Sequence, residues 1–578
     1  MDLQGVVRET LLRDVIRATH GGAAAQWRVL VVDQLTIRVV SKALHMHQLA
    51  QEKVLVVEQL EVGRSPHPAL EAIYYLAPTE AGVAALTQDL LGGRYAAAHV
   101  YFSQPIPDRL FHRLAESPAC TKFLALKEVN LAFVPVEPLV YSLGSSGALG
   151  AFHVGEEVAR RAAMEEMADR VAGLCTSLGE MPAIRYREES EHTADLANMV
   201  QARLDALKAE QPDLRAGGQL LLLDRAFDPV TPLVHDVTVQ AMAADLDIGL
   251  EDGLYKYEQD GEERKAVMDE TNKLWVEVRY KHFIDAVEVV NAKQKELAAY
   301  AKQIKEGDAK GMKTDIKKLP KYEQDKRETT ALLDLLTHCM EWATRNKDLL
   351  EVEQAFATGQ DEEGRRLAKP MSKLLSPLIN PNISTRDKVR IILLYAISEG
   401  GISKEDLDKI IVHGKLSPAE AAMIRGFEDL GVPIIRQPGQ EAAWKLQRKA
   451  RPAARPFMRW TPVLMDLVEQ AMDGKLSDAD FPLVRPEAGA AARYGQFNRK
   501  TRMVVFVVGG VSLGEARVGQ QLAVERAKDW EVVVGGSTLL TPSSFLREVA
   551  AMEGGDTLWE EEEKEPLLSR AQPNGQAA

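Results

Sequence analysis

Cysteine is scarce in this chain, which has three cysteines among 578 residues. Cys120, Cys175 and Cys339 are odd in number, lie far apart and form no Cys-x-x-Cys pair. Neither a disulfide framework nor a cysteine-based zinc site fits this pattern. The sequence therefore favours a reducing compartment.

Long apolar runs are missing as well. No stretch approaches the roughly 20 residues that a membrane-spanning helix needs. The first fourteen residues carry five charged side chains and no apolar core, so a secretory signal is not predicted. We expect a cytoplasmic protein whose role at any membrane is peripheral or depends on a partner.

Basic charge is in deficit, because 71 Lys and Arg stand against 85 Asp and Glu, for a formal net charge of -14. Binding to nucleic acid requires a basic surface that neutralises phosphates, so nucleic acid is not an expected partner. At about 150 residues per domain, the length predicts three or four domains.

Short β-branched runs, separated by helix-like sequence, open the chain. They lie at 29–32, 54–57, 99–102 and 131–134 and are almost wholly apolar. Such runs are typical of parallel strands that are covered on both faces. They predict an α/β domain over residues 1–136.

A second α/β domain is predicted from two separate segments, 137–247 and 474–553. The first contains the apolar run 219–224, and the second contains the runs 503–508 and 531–534. Because two late strands need a sheet to join, we interpret both segments as one domain.

The sequence between these segments, 248–473, has helical periodicity and predicts a mostly helical third domain. The end of the chain, 554–578, contains the acidic run Glu560–Glu563 followed by Pro, Gly, Gln and Ala. This composition predicts a disordered acidic tail.

The best candidate for catalysis is the glycine-rich turn Gly509–Gly514. A P-loop would need Lys where the chain has Glu515, and a carboxylate there would repel phosphate. Ser512 fits a nucleophile elbow, but that arrangement needs a later histidine and none follows His413. We therefore interpret the turn as structural and predict no catalytic residue. A hydrolase or NTPase is the enzyme alternative.

Two other patterns contain residue types that can bind a metal or take part in catalysis. His45-Met46-His47 could point two imidazoles one way from a strand, but no third ligand is near, so no metal site is predicted. No cofactor is predicted either. Asp224-Arg225 and Asp228-Pro229 form a charged turn after a buried strand, which we interpret as an ion pair that fixes the loop.

That turn belongs to a longer motif, LLLDRAFDPVTPL at 221–233. Further motifs are YKYE at 255–258, KVRIILLY at 388–395 and RWTP at 459–462, with VVDQL and LEAIY near the start of the chain. Together they resemble the SM family (Sec-one/Munc-eighteen) of syntaxin-binding regulators of vesicle fusion, in its exocytic class. The resemblance covers about residues 5–550.

The resemblance implies an α/β plus α fold in the form of a three-domain arch. Two domains would contain parallel sheets, and the large helical domain would be inserted into the second. It also implies a central cleft between the first and third domains that holds a four-helix syntaxin.

By resemblance, polar residues after the first strands of domain 1 face the syntaxin helices. The alternative interpretation is ordinary solvated loop charge. His45 stands where close relatives carry Lys, so an ionic contact there would depend on pH. The predicted cleft residues are Asp33, Arg38, His45, Glu58 and Arg64.

A second surface, again by resemblance, is an outer pocket of domain 1 for the syntaxin N-terminal peptide. Phe111, Phe123 and Leu126 would form its apolar wall and Glu128 its charged partner. Phe123 and Leu126 are three residues apart and could share a helix face. The alternative is that Phe111 and Leu126 are simply core residues.

A third surface lies in the helical domain. Residues 291–330 hold 11 Lys/Arg against 7 Asp/Glu, a local basic excess in an acidic chain. Such a stretch could steer acidic SNARE helices, although a solvated helix face is the plainer explanation. Pro320 is expected to interrupt the helix. By resemblance it is the hinge of a hairpin that accepts the assembling SNARE bundle.

These observations lead to one functional prediction. The chain is expected to be a non-enzymatic regulator of SNARE-mediated vesicle docking and fusion that binds a syntaxin-type SNARE, supports SNARE complex assembly and is recruited to the plasma membrane through syntaxin. A vesicle SNARE is a further candidate partner. The alternative outside catalysis is a tethering or adaptor scaffold that uses the acidic tail.

Overall fold

The computed structural model describes residues 2–19, 26–246, 248, 250–251, 253–259, 261–306, 312–436, 455–486 and 500–554. The predicted acidic tail lies outside the described residues, except for Gly554. The strands are β1 Arg28–Val32, β2 Val54–Gln59, β3 Glu71–Leu76, β4 Ala98–Phe102, β5 Phe123–Glu128, β6 Val134–Glu137, β7 Val140–Ser142, β8 Glu180–Tyr186, β9 Arg215–Asp224, β10 Leu250–Glu251, β11 Leu254–Gln259, β12 Glu262–Val267, β13 Thr501–Val508, β14 Val511–Ser512, β15 Trp530–Gly536 and β16 Leu539–Leu540.

Helices connect these strands and fill most of the region between β12 and β13. They are α1 Leu3–Thr10, α2 Gln34–Ala43, α3 Met46–Gln51, α4 Glu80–Leu91, α5 Asp108–Glu116, α6 Ala148–His153, α7 Glu157–Ser177, α8 Glu191–Glu210, α9 Val239–Asp245, α10 Lys273–Val278, α11 Phe283–Glu306, α12 Met312–Arg345, α13 Lys347–Thr358, α14 Pro370–Ile379, α15 Thr385–Glu399, α16 Lys404–Gly414, α17 Pro418–Gly426, α18 Val463–Met472, α19 Leu513–Glu525 and α20 Pro542–Met552. Among the described residues, none of these helices is both long and apolar enough to cross a membrane.

The chain divides into two compact units. Unit 1 comprises Met1–Phe227, Leu464–Val511 and Val518–Leu539, and unit 2 comprises Asp228–Val463, Ser512–Arg517 and Leu540–Ala578. The domain boundaries predicted from the sequence are finer than this division and stay predictions.

Unit 1 begins with a five-stranded parallel sheet in the order β2-β1-β3-β4-β5. The predicted strands at 29–32, 54–57 and 99–102 are confirmed as β1, β2 and β4. The predicted strand at 131–134 is wrong as a member of this sheet, because its fifth strand is Phe123–Glu128. Leu131, Ala132 and Phe133 are apolar because they are buried in the connection to β6.

A second sheet of unit 1 has the order β6-β7-β15-β13-β9-β8. Its strands run parallel, except that β6 is antiparallel to β7. The late strand β13 lies in the middle, where Val505 is in register with Leu221 of β9 and with Val534 of β15. The buried run of β13 therefore has hydrogen-bonding neighbours on both sides, and strands before residue 225 and after residue 500 share one sheet.

Unit 2 is mostly helical among its described residues, with a small antiparallel sheet in the order β10-β11-β12. The sequence did not predict these strands, because only one of their faces is apolar and the other carries alternating exposed residues. Tyr255, Tyr257 and Ala266 of the inner face pack into a core with residues of α9 to α13.

Pro320 lies inside α12, which continues through it over 34 residues. The prediction that Pro320 interrupts the helix is therefore wrong. Proline removes one backbone donor, but the chain is helical on both sides of Pro320 and α12 packs along α11. Whether the helix bends at Pro320 when a partner binds stays a prediction.

The glycine-rich turn after β13 depends on backbone shape. Gly509 and Gly510 have φ angles of 88° and 101°, a region that side chains disfavour. A Cβ on Gly509 would lie 2.4 Å from Leu149 Cδ1 and 3.0 Å from Arg225 Cβ. The Gly510 carbonyl accepts a hydrogen bond of 3.0 Å from the buried guanidinium of Arg225. The glycines thus serve close packing.

Replacing Gly509 by Ala tests this interpretation. The added methyl group is forced into both a strained φ and an occupied space, so we expect the free energy of unfolding to fall by about 2 kcal/mol. Urea unfolding followed by circular dichroism measures the change. Gly63→Ala is the control, because a Cβ there meets nothing within 4 Å. Equal stability of the two variants would contradict the interpretation.

Candidate functional site

Asp33, the first predicted cleft residue, caps helix α2 from inside the domain. Its carboxylate accepts hydrogen bonds from the backbone N of Leu35 at 3.0 Å, of Thr36 at 2.8 Å and of Ala77 at 2.5 Å. The residue is buried. Its carboxylate is engaged within the domain and does not face solvent.

Glu58 and Arg64 belong to a second internal network. The hydroxyl of Tyr95 donates to Glu58 Oε2 at 2.5 Å, and Arg64 Nη1 donates to Asp89 Oδ2 at 2.7 Å. Tyr74 donates its hydroxyl to the same oxygen of Asp89 at 2.9 Å. Burial and the hydrogen bond to Glu58 raise the pKa of Tyr95 above its ordinary value. These two cleft candidates therefore hold the fold together around β2 and β3.

Arg38 and His45 differ from the other three because both are exposed. Arg38 lies on α2, and His45 precedes α3, where its backbone N donates to Gln48 Oε1 at 3.0 Å. The rings of His45 and His47 stack with centroids 5.8 Å apart. The pair does not lie on a strand, since residues 46–51 are helical. No group of three or more His, Cys, Asp or Glu suited to a metal occurs among the described residues.

The predicted peptide pocket has an exposed apolar side. Phe111 on α5 is 43% exposed and Leu126 on β5 is 36% exposed. Glu128 Oε1 accepts a hydrogen bond of 2.8 Å from the backbone N of Ile106, which ties the end of β5 to the segment before α5. The alternative that Phe111 and Leu126 are core residues does not fit these exposures.

Phe123 does not share a helix face with Leu126, so that expectation is wrong. Both lie on β5, which pairs with β4 as the edge strand of the sheet. Residues three apart on a strand point to opposite faces. Phe123 accordingly packs against the core of the sheet, while Leu126 faces outwards.

The helix pair α11 and α12 carries a cavity of about 490 Å³. The rings of Tyr300 and Tyr322 lie there with centroids 5.6 Å apart. One basic and two acidic side chains border this otherwise apolar space. The lining residues are Glu296, Leu297, Ala299, Tyr300, Lys321, Tyr322 and Asp325.

The motif that carries the family resemblance is a folding element. Within unit 2, Asp228 accepts hydrogen bonds from Thr231 N at 2.9 Å, Thr231 Oγ1 at 2.5 Å and Val463 N at 2.9 Å. Trp460 Nε1 donates to Thr231 Oγ1 at 2.9 Å. The 228–231 turn and the 460–463 segment therefore fix each other across more than 200 residues of chain.

Two other motifs each contribute an arginine contact, one to the end of the 221–233 motif and one to α13. Arg390 Nε donates to the carbonyl of Leu233 at 2.8 Å, and Arg459 forms a bidentate pair with Glu351 at 2.6 and 2.9 Å. His235 Nδ1 lies 2.9 Å from Glu353 Oε1. Sequence reasoning missed this buried cluster, although KVRIILLY and RWTP supplied part of the signal.

Asp224, in the charged turn after β9, pairs with an arginine from outside the turn. Its Oδ1 accepts from Arg187 Nη1 at 2.8 Å. Arg225 lies over the ring of Phe227, at 4.7 Å from the centroid. The interpretation of the turn as structural is consistent with both contacts.

Ser512 is buried and bound in a helix cap. Its hydroxyl donates to Glu515 Oε2 at 3.0 Å, and the backbone N of Glu515 donates back to Ser512 Oγ at 3.2 Å. The same carboxylate accepts from Ser512 N at 2.8 Å. Such a reciprocal cap explains why Ser and Glu stand three residues apart. The hydroxyl and the carboxylate are thus both engaged in the cap.

The cysteines are free thiols. Burial raises the pKa of Cys175 and of Cys339 to about 12. Both thiols are therefore protonated at neutral pH and poor nucleophiles.

The hydrogen bonds of His282, in unit 2, fix which ring nitrogen carries the proton in its neutral form. Its Nδ1 accepts from Ile284 N at 3.1 Å, so Nε2 carries the proton and donates to the carbonyl of Pro456 at 3.1 Å. Burial lowers the pKa of His282, which the nearby charge of Arg455 reinforces, while Asp285, Asp236 and the bond to Pro456 oppose the change.

We expect His282 to lower the free energy of unfolding of unit 2 in acid. A histidine with a lowered pKa binds fewer protons in the folded chain, so the free energy of unfolding falls as the pH drops below about 6.5. Urea unfolding at pH 7.5 and 5.5 should show a smaller fall for His282→Gln than for the wild type. His413→Gln, at an exposed site, should fall like the wild type. Equal falls in all three proteins would sink the assignment.

The free energy of unfolding distinguishes a buried cleft candidate, Asp33, from an exposed one, Arg38. Asp33→Ala removes the cap of α2 and leaves Ala77 N without its acceptor, so we expect a loss of about 2 kcal/mol. Arg38→Ala, on the exposed face of α2, should change the free energy of unfolding by less than about 0.5 kcal/mol. Thermal or urea unfolding measures both, and a stable Asp33→Ala protein would refute the internal role.

Known proteins are similar in sequence to this chain over most of its length. The Sec1 family matches residues 28–548. The chain is 24% identical to "Protein transport protein sec1" of Dictyostelium discoideum, over 95% of this chain and 99% of that one. It is 26% identical to "SNARE-interacting protein KEULE" of Arabidopsis thaliana, over 96% of each chain.

Solved structures agree. The Unc18 fold of the Unc18-syntaxin 1 complex from Monosiga brevicollis matches with a TM-score of 0.83 and 25% identity, over 96% of this chain and 100% of that one. These matches confirm the resemblance and the predicted fold class of parallel α/β sheets with a large helical part. Because the family match spans nine tenths of the sequence, the chain belongs to the Sec1 family.

Proposed function

We propose that this protein regulates SNARE-mediated vesicle docking and fusion by binding a syntaxin-type SNARE, without making or breaking a covalent bond. The observation that carries the proposal is the match, in both sequence and fold, to a protein whose crystal structure is a complex with syntaxin 1. The relatives named for protein transport and SNARE interaction support the same process.

The proposed cleft contact uses α2 and the start of α3, beside the first sheet. Arg38 and His45 are exposed and are the two predicted cleft residues that can reach a partner without breaking the fold. Asp33, Glu58 and Arg64 act behind them, by holding α2 and the end of β2 in place. A rim of exposed charge gives such an interface its specificity and its rate of association.

The proposed peptide site lies on α5 and β5. Phe111 and Leu126 are exposed apolar side chains, and such side chains anchor short peptides when a partner covers them. Glu128 Oε1 accepts the hydrogen bond from Ile106 N and so holds the segment before α5. The same carboxylate is proposed to face a cationic group of the peptide.

The helix pair is the proposed site for the assembling SNARE bundle. Its cavity, which Tyr300 and Tyr322 line, suits an apolar side chain of a helix, while Lys321 and Asp325 offer charges at its edge. Pro320 stands directly before this edge and is proposed as the point where α12 bends. A vesicle SNARE is a further candidate for the same surface.

The absence of catalysis is part of the proposal. It is supported by the capped and buried Ser512, and by the protonated thiols of Cys175 and Cys339. Recruitment to the plasma membrane is proposed to occur through syntaxin.

Calorimetry with a cytosolic syntaxin fragment is the direct test. Micromolar wild-type protein should release or absorb heat on titration, with an affinity in the nanomolar range if the interface buries well over 2,000 Å². Arg38→Ala should weaken this binding. If no syntaxin fragment binds, the proposed function fails.

Phe111→Ala tests the peptide site separately. Loss of its ring should weaken binding of a labelled syntaxin N-terminal peptide about tenfold or more, as measured by fluorescence anisotropy. Binding of a syntaxin fragment that lacks this peptide should stay unchanged. Leu91→Ala, another exposed apolar residue of unit 1, is the matched control. Equal loss of both binding modes would mean that Phe111 supports the fold.

A further inference from the structure

The outer face of the β11–β12 ribbon has an unusual distribution of charge. Lys256 lies directly opposite Lys265, and Glu258 lies directly opposite Glu263. All four side chains are exposed. Like charges placed directly opposite each other on a sheet are destabilising. Diagonal attraction between Lys and Glu offsets part of this cost, but exchanging one Lys with one Glu would place opposite charges directly across from each other.

An apolar pair continues the same face. Leu254 lies opposite Val267, and these side chains are 42% and 44% exposed. The face therefore presents three successive pairs along the ribbon: apolar, then doubly basic, then doubly acidic. The pairs are about 6.8 Å apart, because side chains on one face of a strand repeat every two residues.

We propose that this face, defined as the outer face of the ribbon, docks an α-helix of an accessory protein, in addition to the SNARE contacts proposed above. The helix carries an apolar, an acidic and a basic residue in that order, at positions i, i+4 and i+8. Four residues of a helix rise about 6 Å, which is close to the spacing of the pairs.

A helix fits this face better than an extended strand. Docking on the face of a sheet offers no backbone hydrogen bonds, so an extended segment would keep its N–H and C=O groups unpaired. A helix satisfies its own backbone and needs only side-chain contacts. Leu254 and Val267 supply the apolar contact, and the two charged pairs set the direction in which the helix lies.

A second copy of this chain is the competing occupant. A two-fold axis between the charged pairs would place the lysines of one copy on the glutamates of the other. The formal net charge of -14 opposes such self-association, because the two copies repel each other. An anionic lipid surface is opposed both by this charge and by Glu258 and Glu263.

Two synthetic peptides test the proposal with the full chain. The matched peptide is an alanine-rich helix of roughly 16 residues, long enough to be helical, with Leu, Glu and Lys at i, i+4 and i+8. The exchanged peptide has Glu and Lys swapped. Fluorescence anisotropy should show the wild type binding the matched peptide about fivefold more tightly, with the preference shrinking at high salt.

A charge-reversed chain provides the control. The variant Lys256→Glu, Lys265→Glu, Glu258→Lys and Glu263→Lys keeps the net charge and both like-charge pairs, so its stability should match the wild type. It should prefer the exchanged peptide instead, and it should bind the syntaxin fragment as the wild type does. Equal binding of both peptides to the wild type, no binding at all, or a preference that survives reversal would overturn the proposal.

Two other outcomes would reassign the face. A wild-type dimer in sedimentation velocity that disappears in Lys256→Glu/Lys265→Glu would assign it to a second copy. Loss of syntaxin binding in the charge-reversed chain would make it part of the SNARE site and overturn a separate partner.

Discussion

A charged side chain is tolerated inside a protein only where other groups take the place of water, and that constraint organises this molecule. Asp33 is surrounded by backbone N–H groups, Arg64 by the carboxylate of Asp89, and Asp228 by donors from Thr231 and Val463. Each of these contacts joins segments that are distant in the chain or fixes the start of a helix. Residues that look like binding charges in the sequence are in several cases the means by which the fold is held together.

The same constraint divides the predicted cleft residues of the first domain into buried ones that support the fold and exposed ones that a partner could reach. Glu58 lies at the end of β2 and Arg64 follows it, where ligand-binding residues of parallel sheets are commonly found. Tyr95 and Asp89 nevertheless hold them inside. Arg38 and His45 remain exposed. A partner that binds here would meet a surface whose shape is set by buried ion pairs and hydrogen bonds, and to which Arg38 and His45 contribute exposed charge.

Much of the fold could be predicted because buried parallel strands are nearly uniform in composition. The runs that became β1, β4, β9, β13 and β15 are apolar along their length, since both faces are covered. The edge strand β2 was predicted and the buried central strand β3 was missed, so position in the sheet is not the whole explanation. Strands with an exposed face, β5 and those of the β10–β12 sheet, were missed as well. Their residues alternate between buried and exposed, so Phe123 and Leu126 gave a spacing that fitted a helix equally well. Local sequence also could not show that α12 continues through Pro320, because that depends on packing along the whole helix pair.

The central place of β13 has a consequence for how the protein is made. Strand β9 ends at residue 224, and its neighbour β13 begins at residue 501. At about 5–20 residues per second, a ribosome needs roughly 15 to 55 s to make the intervening chain. Throughout that interval the apolar strand β9 lacks the neighbour that completes the sheet, and an unpaired strand edge invites aggregation. The newly made chain thus exposes this strand edge for longer than a protein whose sheet closes in sequence order.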